Sequence, residues 1–471
     1  MMSAPNFSNF NYSGTFEVQE CEILTHSNIR VPIDSALVEV NIHEDITGGF
    51  ISGNISFLDT TDAVLNHGIV GNEYVYMKIV TPSDEDVSLD FTRDPLVITS
   101  VNQTSQGQGR LVHLTVSSRE FVKNFRTRIS QSFSGTITDM VARILRDEQF
   151  LGTKKTVELG RSYGLEKIVI PNLRPITALQ MLTQRAKNRN DSPFLFFETL
   201  KGLNFLSFES LARQDTKTNF TLGISDTYDD RPSKSTQIGL NVIRQLGQVE
   251  GDELISNSVL TNTINGMYSS RMLLHDIYNK TYHDIKFKYT DQFSKRNDLE
   301  TSIGEYGFPT FPIGSSVDES GKTVEEFNDS HLNVQSTSGY KTPKGSVHNI
   351  NPYPRTIYPF EESSVSEHLL SRRHKLSFVD QMGMRIQMVG NLSIQASDII
   401  RINVFKSKTD VDNPEEDLYD ERLTGRYLIT SLVHSFKFGE PKKHTIIASV
   451  MKDSVTKPYA NNLPPNPKRL I

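Results

Sequence analysis

Ile98-Thr99-Ser100-Val101, followed after a Gly-rich turn by His113-Leu114-Thr115-Val116-Ser117-Ser118, returns near the other end of the chain as Ile429-Thr430-Ser431-Leu432 and His444-Thr445-Ile446-Ile447-Ala448-Ser449. The offset is 331 for both strands, from 98 to 429 and from 113 to 444. Ile, Val and Thr are common strand formers, so one such match could arise by chance. An ungapped match across two strands and their turn is harder to dismiss. The strand upstream agrees: Glu73-Tyr74-Val75-Tyr76-Met77-Lys78-Ile79 aligns with Asp398-Ile399-Ile400-Arg401-Ile402-Asn403-Val404 at an offset of 325, six less, and the loop 406–421 can hold the extra residues. Val75, Met77 and Ile79 fall on one face, as do Ile400, Ile402 and Val404. One β-module is used twice, with the rest of the chain inserted between or within the copies.

A chain of 471 residues exceeds a single hydrophobic core, and three or four domains are expected. Its 36% hydrophobic and 23% charged residues are those of an ordinary globular protein, and no apolar run reaches the length of a membrane helix. Residues 1–12 lack the basic and apolar regions of a secretory signal and read as an arm. Cys21 is the only cysteine, which excludes an internal disulfide framework and a cysteine metal site and fits assembly in a reducing cytoplasm. The net charge of −6 argues against a nucleic-acid-binding surface, though not against a pore that DNA passes through.

From Phe16 to Ser118 the text is all strand, with 36–42 and 53–59 alternating around a Gly48-Gly49 turn, and 60–63 allows one short helical turn. The period then changes. Thr136 is placed as an N-cap with Asp139 in the capping-box position, and Ile137, Met140, Val141, Ile144 and Leu145 line one helix face. A second helix begins near Pro175, with Ile176, Leu179, Leu182 and Ala186 on one face. Residues 193–197 and 203–208 flank Lys201-Gly202 as a hairpin. Strand character resumes at 238–246 and 283–289. Residues 291–362 are rich in Pro, Gly, Ser and Asn, a solvated insertion or a segment ordered by a partner. Ser364 and Glu367 form a capping box for a helix running to about Lys375, and 384–388 returns to strand.

The expected architecture is α+β, mainly β: an arm (1–15), a first β-barrel (16–118), an α+β domain (119–222), a second barrel (223–290 and 363–455), an insertion domain (291–362) and an extended Pro-rich tail (456–471).

The chemistry-bearing residues form no recognisable catalytic site. His275-Asp276 and His283-Asp284 resemble base–carboxylate pairs, but neighbours on a strand point to opposite faces. His368 and His374 are six apart on a helix, the wrong spacing for shared metal ligation. Asp410-Val411-Asp412-Asn413 with Glu421 imitates a calcium loop but has Pro414 and Glu415 where a ligand and a turn glycine are required. Gly107-Gln108-Gly109 suits a hairpin turn better than a dinucleotide loop, and Cys21 carries no nucleophile signature. No catalytic, cofactor-binding, metal or partner-interface residue is nominated, no cofactor is expected, and the chain is read as a non-enzyme.

Two copies of one barrel per chain mean that a trimer would display six similar barrels, a geometry that joins a six-fold partner to a three-fold one. The residues also resemble a known family, the baseplate hub protein of contractile-tailed bacteriophages of the T-even type. The resemblance rests on Gly53-Asn54-Ile55-Ser56-Phe57-Leu58-Asp59 followed by Gly71-Asn72-Glu73, on the hairpin 194–208, on Gly390-Asn391-Leu392-Ser393-Ile394 leading into 398–404, and on the closing strand pair 427–449. It implies a homotrimeric ring around the DNA channel, located in the virion tail baseplate and assembled in the host cytoplasm. The implied partners are the tail tube or tube-initiator proteins, a central spike that can carry a lysozyme, and baseplate wedge proteins; DNA only passes through, and no membrane is involved. The family has no catalytic residues to transfer. A similar ring lies at the base of type VI secretion spikes, whose chains usually continue into a spike; none is expected here. The competing reading is a β-rich carbohydrate-active tail enzyme or tail-fibre protein, against which stands the absence of Trp, a common sugar-stacking residue. A ring of this kind is expected to have a neutral to acidic lumen, since a chain of net charge −6 has few spare cations and passing DNA must not be held.

Overall fold

The structure, a computed structural model, describes residues 14–81, 84–106, 109–222, 248–255, 259–276, 281–289, 291, 299, 308–309, 322–337, 365–379, 382–404 and 419–455. Residues 1–13 of the expected arm, the tail, the strand at 238–246, the Ser364–Glu367 capping box and most of 291–362 lie outside these residues.

The first barrel contains β1 (Glu17–Leu24), β2 (Arg30–Pro32), β3 (Leu37–Asp45), β4 (Ser52–Asp59), β5 (Tyr74–Thr81), β6 (Asp84–Asp90), β7 (Leu96–Gln106) and β8 (Gly109–Ser117). Their order is β2-β1-β5-β7-β8-β4-β3, with β6 beside β5. Alternate residues of six of these strands, among them Ile23, Ile42, Ile55, Met77, Ile98 and Leu114, meet in one core. The single helical turn α1 (Ala63–Asn66) is held by Asp59, whose carboxylate accepts the Ala63 and Val64 N–H groups at 2.9 and 3.0 Å.

The α+β unit follows with α2 (Arg119–Arg126), β9 (Ile129–Gly135), α3 (Ile137–Arg146), β10 (Val157–Leu159), β11 (Glu166–Leu173), α4 (Pro175–Arg185), β12 (Phe194–Thr199), β13 (Gly202–Ser207) and α5 (Phe208–Ala212). Thr136 caps α3 by accepting the Asp139 N–H at 3.2 Å, and all five expected residues of its apolar face are buried. In α4 the buried face is Pro175, Ala178, Leu179, Leu182 and Thr183, with Ile176 only half-buried.

The second barrel is a closed ring of β14 (Thr216–Leu222), β15 (Gln248–Ile255), β20 (Met382–Val389), β23 (Lys443–Lys452), β22 (Gly425–Lys437) and β21 (Ile399–Val404), in that order around the ring. Between β15 and β20 the chain forms α6 (Val259–Ile264), β16 (Ser269–Asp276), β17 (Thr281–Lys288), β18 (Phe308–Pro309), β19 (Leu332–Thr337) and α7 (Val365–Val379); β24 (Ser454–Val455) pairs with β18.

Two sequence expectations are corrected here. Strand 216–222, assigned to the α+β domain, is a wall of the second barrel. Strand 283–289, assigned to that barrel, forms β17, which pairs with β16 in a separate sheet β17-β16-β19. Alternation fixes which face of a strand is buried, not which strand it pairs with.

The repeat itself is visible strand for strand: β3-β4-β8-β7-β5 has the same antiparallel order as β15-β20-β23-β22-β21. Tyr74 and Val75 face Val97 and Leu96, while Ile399 and Ile400 face Leu428 and Tyr427, at the offsets of 325 and 331 read from the sequence. The detail extends to a bulge after Ile98 and after Ile429, and at each bulge the extra threonine, Thr99 or Thr430, donates its hydroxyl to a carbonyl across the hairpin at 3.1 Å. Before each strand a left-handed residue, Asn72 or Ser397, donates its N–H to the Ile98 or Ile429 carbonyl. Two departures are equally clear. Val116 faces Ile98 but Val450 faces Ile429, an offset of 334, because the second hairpin turn is three residues longer; His113 and His444 are therefore not equivalent. The sixth strand is reversed, β1 running antiparallel to β5 and β14 parallel to β21.

A buried carboxylate holds the loop before each of these strands. Glu73 accepts from the Val70 and Gly71 N–H groups at 3.0 and 2.8 Å, and Asp398 accepts from Gln395 N–H at 3.1 Å. Glu73→Ala is expected to cost roughly 2 kcal/mol and Asp398→Ala about half of that, following the number of backbone donors left without an acceptor. Urea unfolding of both variants checks this ordering.

Candidate interdomain assembly site

β22 is 13 residues long, and its two halves serve different barrels. Residues 425–428 pair with β21 inside the second barrel. Beyond the bulge, 431–437 keep β23 on one side and take β3 of the first barrel on the other, from Ser431 opposite Asp45 to Lys437 opposite Glu39. The two barrels are thus one continuous sheet. Phe436 crosses the seam into the first core, where it meets Phe16 edge-on at 5.1 Å and stacks on His444 at 4.1 Å. His434 lies beside it with Nδ1 3.1 Å from His444 Nε2. Burial holds both imidazoles neutral, pushing His434 down to about 3 and His444 well below its usual value.

At the end of the seam stands Glu44 of β3, 1% exposed. One carboxylate oxygen accepts the Leu200 N–H at 2.6 Å and the other accepts the Ala396 N–H at 2.7 Å. A single side chain of the first barrel therefore fixes the β12–β13 turn of the α+β unit and the loop before β21. Burial pushes its carboxyl up to about 8, against the pull of the two N–H donors and with a further push from Asp398 and Glu198. The apolar floor beneath is shared by all three units: Ile46, Phe197, Leu206, Ala396, Ile399 and Leu428 pack in one cluster.

A second tie lies on the far side of β12. Glu198 accepts the Ile51 N–H at 3.0 Å and sits 2.5 Å from the Lys155 ammonium, which also lies 2.9 Å from Glu120 of α2. Burial raises Glu198, whereas the lysine beside Glu120 outweighs burial there and lowers it; the two carboxylates keep Lys155 charged despite its own burial. Carboxylates with divergent pKa values resemble a general acid–base pair. Here both side chains are 1% exposed and already bonded to Lys155, so their geometry is that of a structural tie.

Of the groups weighed in the sequence, those among the described residues take no part in this site. Asp284 forms a two-pronged ion pair with Arg271 at 2.9 Å and His275 is exposed, while the side chain of Asp276 lies outside the described residues. His374 is buried against Phe287 and Tyr289, with Nδ1 2.6 Å from the Met267 carbonyl, consistent with a core histidine. The side chains of His283 and His368, the pair Gly107-Gln108 and the loop 405–418 with Asp410, Asp412 and Asn413 lie outside the described residues. Cys21 is buried on β1, where burial and then Asp34, Glu20 and Glu22 push its thiol up to about 12, out of reach of thiolate chemistry. Among the described residues no cluster of three or more metal-ligating side chains occurs, and no helix is long and apolar enough to cross a membrane. Sequence reading passed over Glu44, although it shares the inward phase of Val40 and Ile42: a carboxylate in the apolar phase of a strand signals a buried tie.

No protein-family model and no curated protein matches the chain. Among solved structures, the tail protein from Neisseria meningitidis MC58 aligns over 94% of this chain and 97% of its own length, with a TM-score of 0.51 at 9% identity. The 43 kDa tail protein of prophage MuSo2 from Shewanella oneidensis covers 94% and 100% at a TM-score of 0.47 and 9% identity. The E. coli c3393 protein, described as a type VI secretion component structurally similar to the T4 tail proteins gp27 and gp5, covers 94% and 78% at 0.42 and 11% identity. The chain is mainly β, with several sheets and few helices, and shares its fold with the first of these tail proteins.

Two outcomes are expected of this site. Lys155→Met leaves Glu120 and Glu198 buried without their cation and should cost about 3–5 kcal/mol in urea unfolding. Glu44 titrates near 8 in the folded chain and near 4.5 when unfolded, so the folded form holds the extra proton between these values and stability falls as pH rises through them. Glu44→Gln does not titrate. Its stability relative to wild type should therefore climb from pH 5 to pH 8, by at most about 1.4 kcal/mol per pH unit; a difference that is flat with pH would contradict this.

Proposed function

We propose that this protein is the structural baseplate hub of a contractile phage tail: a homotrimeric ring of pseudo-six-fold symmetry that joins the hexameric tail tube to a trimeric central spike and surrounds the DNA channel. The observation that carries the reading is the pair of barrels with matching strand order, joined edge to edge through β22 and β3 within one chain. A closed assembly with one barrel per subunit has a single rotational symmetry; two like barrels per subunit let a three-fold ring present a nearly six-fold face. The fold shared with a tail protein supports the same reading. Its partners would be tube or tube-initiator proteins on one face, the spike on the other and wedge proteins around the rim, with assembly in the host cytoplasm and a lumen that is neutral to acidic. The arm at 1–15, the α+β domain, the insertion and the tail at 456–471 would serve these contacts.

The buried carboxylates support a role without catalysis, because Glu44, Glu120 and Glu198 are engaged with backbone and lysine. Sedimentation of the purified chain is expected to give three times its 53.2 kDa mass, and incubation with peptidoglycan to release no fragments. A stable monomer or a hexamer would refute the ring, and turnover of peptidoglycan would favour the tail enzyme.

A further inference from the structure

The intrachain joint predicts its own counterpart. Under the offset of 331, the segment of β22 that β3 covers, 431–437, corresponds to 100–106 of β7. β8 pairs with 100–106 on one side; on the other edge β5 reaches only Leu96 and Val97, and nothing among the described residues pairs with 100–106 there. The burial contrast is plain: His434, Ser435 and Phe436 are buried under β3, whereas Asn102, Gln103, Thr104 and Ser105 are exposed. The edge that fits it is also identifiable. β3 corresponds to β15, since Ile42 faces Gly53 as Leu254 faces Met384. β14 occupies the outer edge of β15 only at Gln248 and Val249, leaving 250–255 without a second neighbour among the described residues.

We infer that the open edge of β7 at 102–106 pairs antiparallel with 250–255 of β15 in a second copy of this chain, in the register of the β22–β3 seam. His434 faces Ile42 and Ser435 faces Asn41 within the chain, so Gln103 meets Leu254 and Thr104 meets Glu253 between chains. The hydrogen-bonding phase agrees. Phe438 donates its N–H to Val38 at 3.1 Å, and alternation along the strand then aims the N–H groups of His434 and Phe436 at β3, and those of Gln103 and Ser105 at the open edge. The joint is head-to-tail, so closing a ring occupies every such edge and removes a template for uncontrolled pairing. It lacks a counterpart of Phe436, Ser105 standing in its place, which makes it a backbone-dominated joint formed between already folded chains. This deepens the ring reading above and depends on it.

The test uses the full-length chain. Thr104 and Glu253 fall on a non-hydrogen-bonded pair, whose Cα separation of about 4.5 Å suits a disulfide. Oxidised Thr104→Cys/Glu253→Cys protein should run on a non-reducing gel as a covalent oligomer that thiol reductant dissolves, whereas the off-register pair Thr104→Cys/Ile255→Cys should not. Separately, Gln103→Pro removes an edge N–H without touching the β7–β8 ladder and should raise the concentration needed for assembly at least ten-fold, with an unchanged circular dichroism spectrum. If the oligomer forms but the in-register pair cross-links no better than the off-register one, the joint is wrong and the ring stands. If the unmodified chain is monomeric at every concentration, the ring fails and the joint with it.

Discussion

One strand belongs to two barrels, and the rest of the structure depends on that sharing. β22 has to be long enough to close the second barrel with β21 and still cover β3 of the first, and the bulge at Thr430 marks where it changes partner. A bulge increases local twist and re-aims the strand, which lets one backbone pass from one curved sheet to the next without a loop. The first barrel's core is completed by Phe436, a residue from the other end of the chain. Its stability is thus tied to a segment more than 300 residues away, and the two barrels cannot be treated as independent modules.

Around the seam the chain uses buried carboxylates where a smaller protein would use apolar packing. Glu44, Glu73, Asp398 and Glu198 each accept one or more backbone N–H groups from loops that would otherwise bury unsatisfied donors. An acceptor with two oxygens can hold two backbone segments at once, which an apolar contact cannot do with comparable directionality. Desolvation opposes Glu44, Glu198 and Asp398, all three of which are raised by burial. The return is specificity: the α+β unit and both barrels are fixed at defined atoms.

The divergence between the copies has physical content as well. The closed second barrel carries the insertion with β16, β17 and β19 between β15 and β20, while the first barrel has only the Gly48-Gly49 region at the corresponding connection. The hairpin turns differ as well, the one in the second barrel being three residues longer.

By itself the sequence determined the local units: the strand faces of Val75, Met77 and Ile79, the repeated strands at Ile98 and Ile429, the capped helix at Thr136, the hairpin around Lys201-Gly202. These are set by side-chain period, capping and turn chemistry, all of which act over a few residues. It also carried the doubling of the barrel, because offset is a property of order along the chain. Partner choice belonged to the tertiary structure alone. Whether 216–222 and 283–289 join the second barrel, how many residues the turn before His444 contains, and that Glu44 binds Leu200 and Ala396 follow from which edges meet in space. Strand alternation is identical for every partner a strand could take, and a carboxylate in a strand shows its donors only once segments 156 and 352 residues away along the chain have been brought to it.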